Sequence, residues 1–428
     1  MKKTLTFLIA LFVLSAVNAQ TDLIISEYGE GWGSNKYLEL FNPTDAAINL
    51  SAYSIVRYSN GGQTFTSPYQ VSLPDVSLEP YKTYVISQDK KNGEVSGDDS
   101  PLWQPLEDRV DYFVNSSYDD AVAGSKCIQW NGNDAVALFK GDALVDLFGQ
   151  VGVNPASALV PGSSEGSIQS WSSEPNYDDG NGIGLSADHG LVRKSSVTTG
   201  VTVNPDGFNI LAEYDSIAVN TFSHLGWHKF DGAPDNSTPS LSLDEVYAVS
   251  PFASEGDLIL TLEAQDSDAG QTMKYYILDG NYFKDTVNDV AYTPFALDKL
   301  TGEITVADEN ALPLIGYDIY MEVAVNDEYA ESEAYSFYIR VTDEELAISE
   351  FREIESSLSP NPTQNQFVVK AVEPITELSV YSLTGQEVYH QVVNAKEISV
   401  NVNLAAGSYI VRSSFADKGQ SIEKLIIE

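Results

Sequence analysis

Apolar and polar residues alternate over short stretches along most of the chain. Residues 36–44, 320–327 and 334–341 follow this pattern, and turn-forming Gly, Asn and Pro residues stand between such stretches. A period of two places every second side chain on one face, so each stretch is predicted to be a strand with a buried face. Many short strands separated by turns are typical of β-sandwiches. We therefore predict an all-β fold class with three consecutive β-sandwich domains.

The beginning of the chain has a different pattern, with charge followed by a continuous apolar run. Lys2 and Lys3 precede a mostly apolar run of 13 residues over 5–17, and small residues lie around Ala19. This arrangement is that of a secretory signal peptide, predicted over residues 1–19. A membrane span needs about 20 apolar residues, and we find no run of that length. The sequence thus predicts an exported protein without a transmembrane segment.

Composition restricts the partners of such a protein. The 428 residues include 62 acidic and 23 basic ones, which gives a net charge of -39. Binding of nucleic acid depends on Lys and Arg, so this balance disfavours a nucleic-acid partner. The carboxylates either keep an exported protein in solution or, where clustered, hold Ca²⁺, which prefers oxygen ligands. Cys127 is the single cysteine, which excludes an internal disulfide, and we expect it to be a packed side chain.

The last seventy residues carry the most specific motifs. They contain Ser-Pro-Asn-Pro at 359–362, Val-Tyr-Ser-Leu-Thr-Gly at 380–385, Leu-Ala-Ala-Gly-Ser-Tyr at 404–409, and a lysine among apolar residues near the end. This series resembles the type A C-terminal sorting domain of the type IX secretion system, over residues 359–428. The resemblance implies delivery through the periplasm to the outer-membrane surface or the medium, with the type IX secretion machinery as partner. The residues that would carry the sorting signal are Pro360, Asn361, Pro362, Gly385, Gly407, Tyr409 and Lys424.

The first folded region is predicted over residues 22–230. Five segments occur in order: Ile-Ser-Glu-Tyr at 25–28, Leu-Glu-Leu-Phe-Asn-Pro-Thr at 38–44, Leu-Ser-Ala-Tyr at 50–53, Asn-Gly-Asn-Asp-Ala-Val-Ala-Leu at 131–138 and Val-Asp-Leu-Phe-Gly at 145–149. They resemble a bacterial lamin tail domain, which implies an immunoglobulin-like fold. A version of this domain precedes extracellular nucleases in other secreted proteins. Here no catalytic domain follows, and we interpret His189 and His224 as local structural contacts.

A linker is predicted at 231–239, a second β domain at 240–343 and an acidic linker at 344–358. The second domain contains Ala-x-Asp-x-Asp-x-Gly at 264–270, Phe-x-Leu-Asp-x-x-Thr-Gly-x-Ile at 295–304 and Val-x-Val-x-Asp at 323–327. These motifs resemble a bacterial cadherin repeat. The resemblance implies calcium ligands at Asp266, Asp268 and Asp327, with Asp235 and Asn236 at the position of a contributing linker. Other ligands of that family depart from the pattern: the first-strand Glu position falls near Pro251, where Glu255 replaces it only if the intervening loop is shorter, and residues 312–315 stand where Asp-Arg-Glu would lie. Solvated turn carboxylates remain the alternative.

Function is less defined than delivery. Trp32, Trp103 and Trp171 are predicted to lie in loops, where they either stack on sugars or pack against the protein. We find no motif of a known catalytic site and predict a non-enzymatic exported protein for adhesion, binding a surface glycan or protein. The alternatives are an accessory module that binds glycan or nucleic acid during extracellular polymer degradation, a nuclease-associated protein, and a hydrolase with an unrecognised site.

Overall fold

The fold was analysed in a computed structural model. It describes residues 22–90, 101–115, 121–164, 166–174, 182–268, 270–285, 290–312, 316–342, 354–382, 387–416 and 420–428. The predicted signal peptide and most of the acidic linker lie outside these residues. The chain divides into two compact units, Met1–Asp343 and Glu344–Glu428, so the first two predicted domains share one unit. The architecture is all-β, as the alternating pattern predicts.

The first domain is a sandwich of a six-stranded and a four-stranded sheet, in the orders β14-β13-β1-β2-β7-β8 and β10-β9-β4-β5. Side chains from both sheets, including Leu38 and Leu138, form one hydrophobic core. Its strands are β1 (Ile24–Glu30), β2 (Lys36–Phe41), β3 (Ile48–Asn49), β4 (Tyr53–Tyr58), β5 (Gln70–Ser72), β6 (Ser77–Leu78), β7 (Thr83–Gln88), β8 (Tyr112–Val114), β9 (Ala135–Lys140), β10 (Ala143–Phe148), β11 (Ser157–Leu159), β12 (Ser167–Gln169), β13 (His189–Arg193) and β14 (Tyr214–Ala218). The short helices are α1 (Gln104–Glu107) and α2 (Ile210–Glu213).

The second domain is a smaller sandwich in the same compact unit. Its sheets have the orders β16-β25-β24-β19 and β17-β23-β22, and β16 runs parallel to β25. Alternate residues of β24, such as Met321 and Val323, point into its core. The strands are β15 (Ser240–Leu241), β16 (Val246–Val249), β17 (Leu258–Thr261), β18 (Ala264–Gln265), β19 (Lys274–Gly280), β20 (Phe283–Asp285), β21 (Val290–Tyr292), β22 (Phe295–Leu297), β23 (Glu303–Val306), β24 (Asp318–Asn326) and β25 (Tyr335–Val341).

The third domain is built around one long strand, β27. Register breaks interrupt β27 between Lys370 and Ile375, and residues from both halves share one core. The strands are β26 (Ser356–Ser359), β27 (Gln366–Ser382), β28 (Glu387–Asn401), β29 (Gly407–Phe415) and β30 (Gln420–Ile427). Ile354 is buried in this core, and β26 already begins at Ser356. An apolar side chain of the predicted linker 344–358 thus packs into the core of this domain.

The six-stranded sheet of the first domain is buried on both faces. One face packs against the second sheet, while a separate cluster covers the other and includes Tyr37, Val85, Leu106, Phe222 and Leu225. Sequence alternation predicts only one buried face for such strands. The second covered face encloses polar residues that alternate with the core positions, and each of these needs a partner.

Two glutamates face each other on this covered side. Glu27 of β1 lies directly opposite Glu39 of β2, and each is 1% exposed. The Tyr37 hydroxyl donates to Glu27 Oε1 at 2.7 Å, and the Gly226 backbone N–H donates to Glu39 Oε2 at 2.7 Å. Burial raises the pKa of Glu27 to about 8, against the lowering effects of Tyr37 and of the Arg109 charge. Burial, reinforced by the Glu27 charge, likewise raises the pKa of Glu39.

This pair predicts that the first domain loses stability as pH rises. Between pH about 4.5 and 8 the folded state holds a proton on Glu27 that the unfolded state has released. The free energy of unfolding should therefore decline, by at most about 1.4 kcal/mol per pH unit for each such carboxyl. Urea unfolding followed by tryptophan fluorescence measures this, because all five tryptophans lie between residues 32 and 227.

The variant Glu27→Gln should flatten this decline and should be more stable than the wild type at pH 9. Glu79→Gln is the matched control, because Glu79 is exposed on the same domain and should leave the slope unchanged. A wild-type stability that rises between pH 6 and 9 would contradict the assignment of a buried proton to Glu27.

Candidate functional site

A cleft of about 630 Å³ lies between the first and second domains of the larger unit. One wall comes from the segment entering α1 and from residues 220–223 of the first domain. The other wall comes from the end of β19 and the turn after it, with contributions from β24. The side chains that give the cleft its chemistry are Trp103, Gln104, Asn220, Asp279, Tyr282 and Glu322.

Trp103 lines the first-domain wall of the cleft, Trp32 packs against it, and both remain about half exposed. Trp32 is 51% and Trp103 is 45% exposed, and their rings meet edge to face with centroids 5.8 Å apart. The Trp32 backbone N–H donates to Asn220 Oδ1 at 3.2 Å, and the Trp103 backbone N–H donates to Asn35 Oδ1 at 3.0 Å. Asn35 Nδ2 in turn donates to Asn220 Oδ1 at 3.1 Å. The amide pair therefore holds both aromatic loops in place.

The opposite wall is a turn fixed from within the second domain. Asn281 exchanges two hydrogen bonds with the backbone of Phe295, at 2.8 and 3.1 Å, and adopts a left-handed φ of 52°. The neighbouring Tyr282 is 55% exposed. The Tyr320 hydroxyl donates to Glu322 Oε2 at 2.5 Å, which orients that carboxylate. The cleft thus combines exposed aromatic rings with carboxylates on walls that hydrogen bonds hold.

A buried ion pair joins the two walls behind the cleft. Arg109, which also lines the cleft, donates two hydrogen bonds to the carboxylate of Glu331, at 2.6 and 3.0 Å. Its guanidinium also donates to the Leu225 carbonyl at 2.7 Å and lies 4.0 Å from the centre of the Tyr276 ring. Both charged side chains are at most 5% exposed. A paired, bidentate and desolvated contact of this kind fixes geometry closely.

A second contact beside it uses the same loop of the second domain. Glu328 pairs with Lys82 of the first domain at 3.1 Å and with Lys274 of its own domain at 2.7 Å. The Lys82 ammonium also lies 3.6 Å from the centre of the Tyr329 ring. Residues 328–331 therefore reach across to the first domain at several points, so the two domains are held together by more than the covalent linker.

The predicted calcium residues lie at the root of this loop. Asp327 is fully buried, and its Oδ1 accepts the backbone N–H groups of Tyr329 and Ala330 at 2.7 and 2.6 Å. Its Oδ2 accepts from Asn236 Nδ2 at 3.0 Å. Asn236 belongs to the predicted linker 231–239, which is thus bonded to the second domain.

Asp266 and Asp268 lie on the other side of that linker segment. Asp268 Oδ2 accepts from the Ser237 backbone N–H at 2.6 Å, and Asp266 Oδ1 accepts from the Asp268 backbone N–H at 2.6 Å. The structure therefore connects all three predicted residues through Asn236 and Ser237. Within the described ranges, however, no three His, Cys, Asp or Glu residues lie close enough together to hold a metal ion.

Two oxygens in this region nevertheless suit a cation. Asp266 Oδ2 and Gln271 Oε1 are buried and have no hydrogen-bond partner among the described residues. Gln271 Nε2 donates to Asn236 Oδ1 at 2.6 Å, so its amide faces the same segment. Carboxylate and amide oxygens are the ligands that Ca²⁺ takes. The residues present therefore fit calcium in chemical type, centred on Asp266 and Asp268.

The predicted sorting residues gather around β30 of the third domain. Asn361 donates to the Lys424 carbonyl at 2.6 Å and accepts from the Ile426 backbone N–H at 2.8 Å. Gly407 and Tyr409 begin β29 and pair with Ile427 and Leu425. Pro360 and Pro362 flank Asn361 in the turn after β26, while Gly385 lies outside the described residues. The Asn361 side chain thus fastens the turn to the last strand, and the role of these residues in sorting stays a prediction.

Other candidates from the sequence prove structural. Trp171 is 0% exposed and its ring packs against Phe208 in the core of the first domain, so of the two alternatives for this loop residue the structure shows packing against the protein. Cys127 is also fully buried, as expected, and burial raises the pKa of its thiol to about 12. His189 bonds the Ala187 carbonyl at 2.9 Å, and His224 stacks on Trp227. Sequence reasoning missed Arg109, Glu331 and Tyr282.

Comparisons with known proteins place two of the three domains. The model of the Lamin Tail Domain family matches residues 16–152, and that of the Secretion system C-terminal sorting domain matches residues 357–428. A comparison with curated proteins finds no match. The region of the first domain after residue 152 lies beyond the family match, although β13 and β14 complete its six-stranded sheet.

Similar solved structures include cadherins. A fragment of Drosophila N-cadherin is 13% identical, covers 56% of this chain and 85% of its own, and has a TM-score of 0.21. The third cadherin domain of human protocadherin 7 is 18% identical, covers 26% of this chain and 92% of its own, and has a TM-score of 0.19. Scores this low leave the cadherin resemblance of the second domain resting on its sequence motifs.

The match to the sorting-domain family indicates the cellular location of the protein. A type IX sorting domain indicates secretion to the cell surface or the extracellular space, and it implies interaction with the type IX secretion machinery. Over the described residues, no helix is both long and apolar enough to cross a membrane. The chain combines a lamin tail domain with a type IX secretion C-terminal sorting domain, in an all-β protein directed to the cell exterior.

Proposed function

We propose that this is a non-enzymatic adhesion protein, which binds a ligand outside the cell through its first two domains. The observation that carries the proposal is the cleft with exposed Trp103 and Tyr282 on opposite walls, closed behind by the Arg109–Glu331 pair. Binding sites are concave, largely preformed and common where domains meet. The sorting domain supports the setting, because it indicates delivery to the exterior.

The ion pairs Arg109–Glu331 and Lys82–Glu328 form a joint between the first and second domains, and a fixed joint favours ligand binding for a thermodynamic reason. A ligand that spans two mobile domains loses affinity, because binding must also restrict their relative motion. Here Arg109 and Lys82 of the first domain already restrain the second domain through Glu331 and Glu328, and Lys274 holds Glu328 from within the second domain. The tryptophan loops are likewise held by Asn35 and Asn220 before any ligand arrives. The free energy of ligand contacts then appears as affinity rather than being consumed by ordering.

Calcium is proposed as a structural ion of the same joint. Asp266 and Asp268 would hold it, with amide oxygen from the Asn236 and Gln271 side chains and with Asp327 positioned by Asn236. When bound, Ca²⁺ supplies positive charge between carboxylates and linker. Asp327 also receives the backbone N–H groups of Tyr329 and Ala330, which lie between the interdomain residues Glu328 and Glu331. Restraining Asp327 would also restrain the loop 328–331, which contacts the first domain.

Calcium should therefore raise the melting temperature of the full chain. A ligand that binds only the folded state at 100 times its Kd stabilises it by about 2.7 kcal/mol. That corresponds to a rise on the order of 5 °C or more for a domain of this size. Differential scanning calorimetry in millimolar CaCl₂ and in chelator measures the shift.

The double variant Asp266→Asn with Asp268→Asn should remove the calcium response. Asp244→Asn is the matched control, since Asp244 is an exposed carboxylate of the same domain and should leave the response intact. Equal melting temperatures with calcium and chelator in the wild type would eliminate calcium from the account.

Adhesion is tested in the producing bacterium. A strain lacking the protein should attach several-fold less to a colonised surface, and the full chain supplied in trans should restore attachment. A chain ending at residue 353, before the buried Ile354, lacks the sorting domain and should accumulate inside the cell without restoring attachment. Unchanged attachment in the deletion strain would overturn the proposed function, and degradation of DNA or polysaccharide by the purified protein would overturn its non-enzymatic character.

A further inference from the structure

We infer that the interdomain cleft binds an uncharged glycan, with sugar rings against Trp103, Trp32 and Tyr282 and sugar hydroxyls on Asp279, Glu322 and Asn220. This inference rests on the proposed function, in that it assigns a ligand class to the binding site of the adhesion protein. The ligand is distinguished from a peptide, a lipid or a nucleic acid by the chemistry of the two walls.

The aromatic rings at the cleft are exposed, and hydrogen bonds fix the loops that carry them. Trp32, Trp103 and Tyr282 each leave between 45% and 55% of their surface open. A large aromatic side chain normally buries its ring, so the half-open rings of Trp103 and Tyr282 in the cleft lining, with Trp32 beside Trp103, leave apolar faces available to a partner. Such side chains offer rigid contact area at a small loss of conformational entropy. The flat C–H face of a sugar ring matches a flat aromatic face.

Polar side chains on both walls of the cleft surround those rings. Asp279 and Glu322 bring carboxylates to the second-domain wall, and these accept hydrogen bonds from hydroxyls. On the first-domain wall, Asn220 Nδ2 is a buried donor without a partner in the described part of the chain. Hydroxyl groups both donate and accept, so a polyhydroxylated ligand satisfies both walls at once. An apolar peptide or an acyl chain would leave these polar groups unpaired.

Charge decides between neutral and anionic glycans. The carboxylates of Asp279 and Glu322 line the cleft, and the whole chain carries a net charge of -39. Arg109 is the cation of the cleft lining, and Glu331 neutralises it at 2.6 Å. Among the described residues of this lining there is no free cation, so sulfated, uronic or nucleic-acid polymers would meet repulsion. A volume of about 630 Å³ falls within the range of small-molecule sites, which suits a few sugar residues of a longer chain.

The test titrates the purified full chain with laminarin, xylan, mannan and dextran as neutral polysaccharides. Alginate and single-stranded DNA represent anionic polymers. At least one neutral polysaccharide should bind and change the tryptophan fluorescence. Trp103→Ala and Tyr282→Ala should each weaken that binding about tenfold, since an aromatic contact contributes up to about 1.5 kcal/mol. Phe252→Ala is the matched control, because Phe252 is exposed on the second domain but does not line the cleft.

Each other outcome has a defined meaning. Binding of no neutral polysaccharide, or binding that Trp103→Ala and Tyr282→Ala leave unchanged while both variants melt like the wild type, would overturn the inference. Preferential binding of alginate or DNA would also overturn it. In these cases the proposed function still stands if the deletion strain has lost attachment, and it falls separately if attachment is unaffected.

Discussion

The bidentate pair between Arg109 and Glu331 is the interaction on which the larger unit depends. Removing two charges from water is costly, and the pair is retained only when each partner satisfies the other. Arg109 also contacts the Leu225 carbonyl and the Tyr276 ring, so it joins the covering segment of the first domain to the second domain. Separating the domains would leave an unpaired charge on each side. The closed joint is thus the arrangement that satisfies these groups, and it places the two walls of the cleft opposite each other.

The same joint accounts for the buried face of the six-stranded sheet. Tyr37, Glu27 and Glu39 would be solvent-facing on an ordinary sandwich, yet the segment 222–226 covers them. Burial raises the pKa of Glu27 and of Glu39, because the covered face has a low dielectric and both carboxyls lie on it. The stability of the first domain, the interdomain geometry and the cleft therefore all depend on the packing of segment 222–226 against the outer face of this sheet.

Local sequence patterns predicted the strands and turns, but they could not predict contacts between residues that are far apart in the chain. Alternation and turns gave the all-β architecture, and the Ser-Pro-Asn-Pro and Leu-Ala-Ala-Gly-Ser-Tyr segments pointed to the sorting domain that the family match confirms. Arg109 and Glu331 are 222 residues apart, and neither has a local signal beyond a charge near apolar neighbours. Trp32 and Trp103 were singled out as loop residues, but their shared support by Asn35 and Asn220 depends on contacts of up to 188 residues in separation. Trp171 also lies in a predicted loop, but tertiary packing buries its side chain, and the local sequence carries no signal for that burial.

The most direct test of a fixed joint is the distribution of distances between the first and second domains in solution. Spin labels at Asp45→Cys and Glu309→Cys would report it, because both sites are exposed and the natural Cys127 is buried and should stay unlabelled. If the two domains are fixed relative to each other, pulsed electron spin resonance should give one narrow distance distribution. A broad or multiple distribution in the full chain would show that the domains move independently, and it would contradict a preformed cleft.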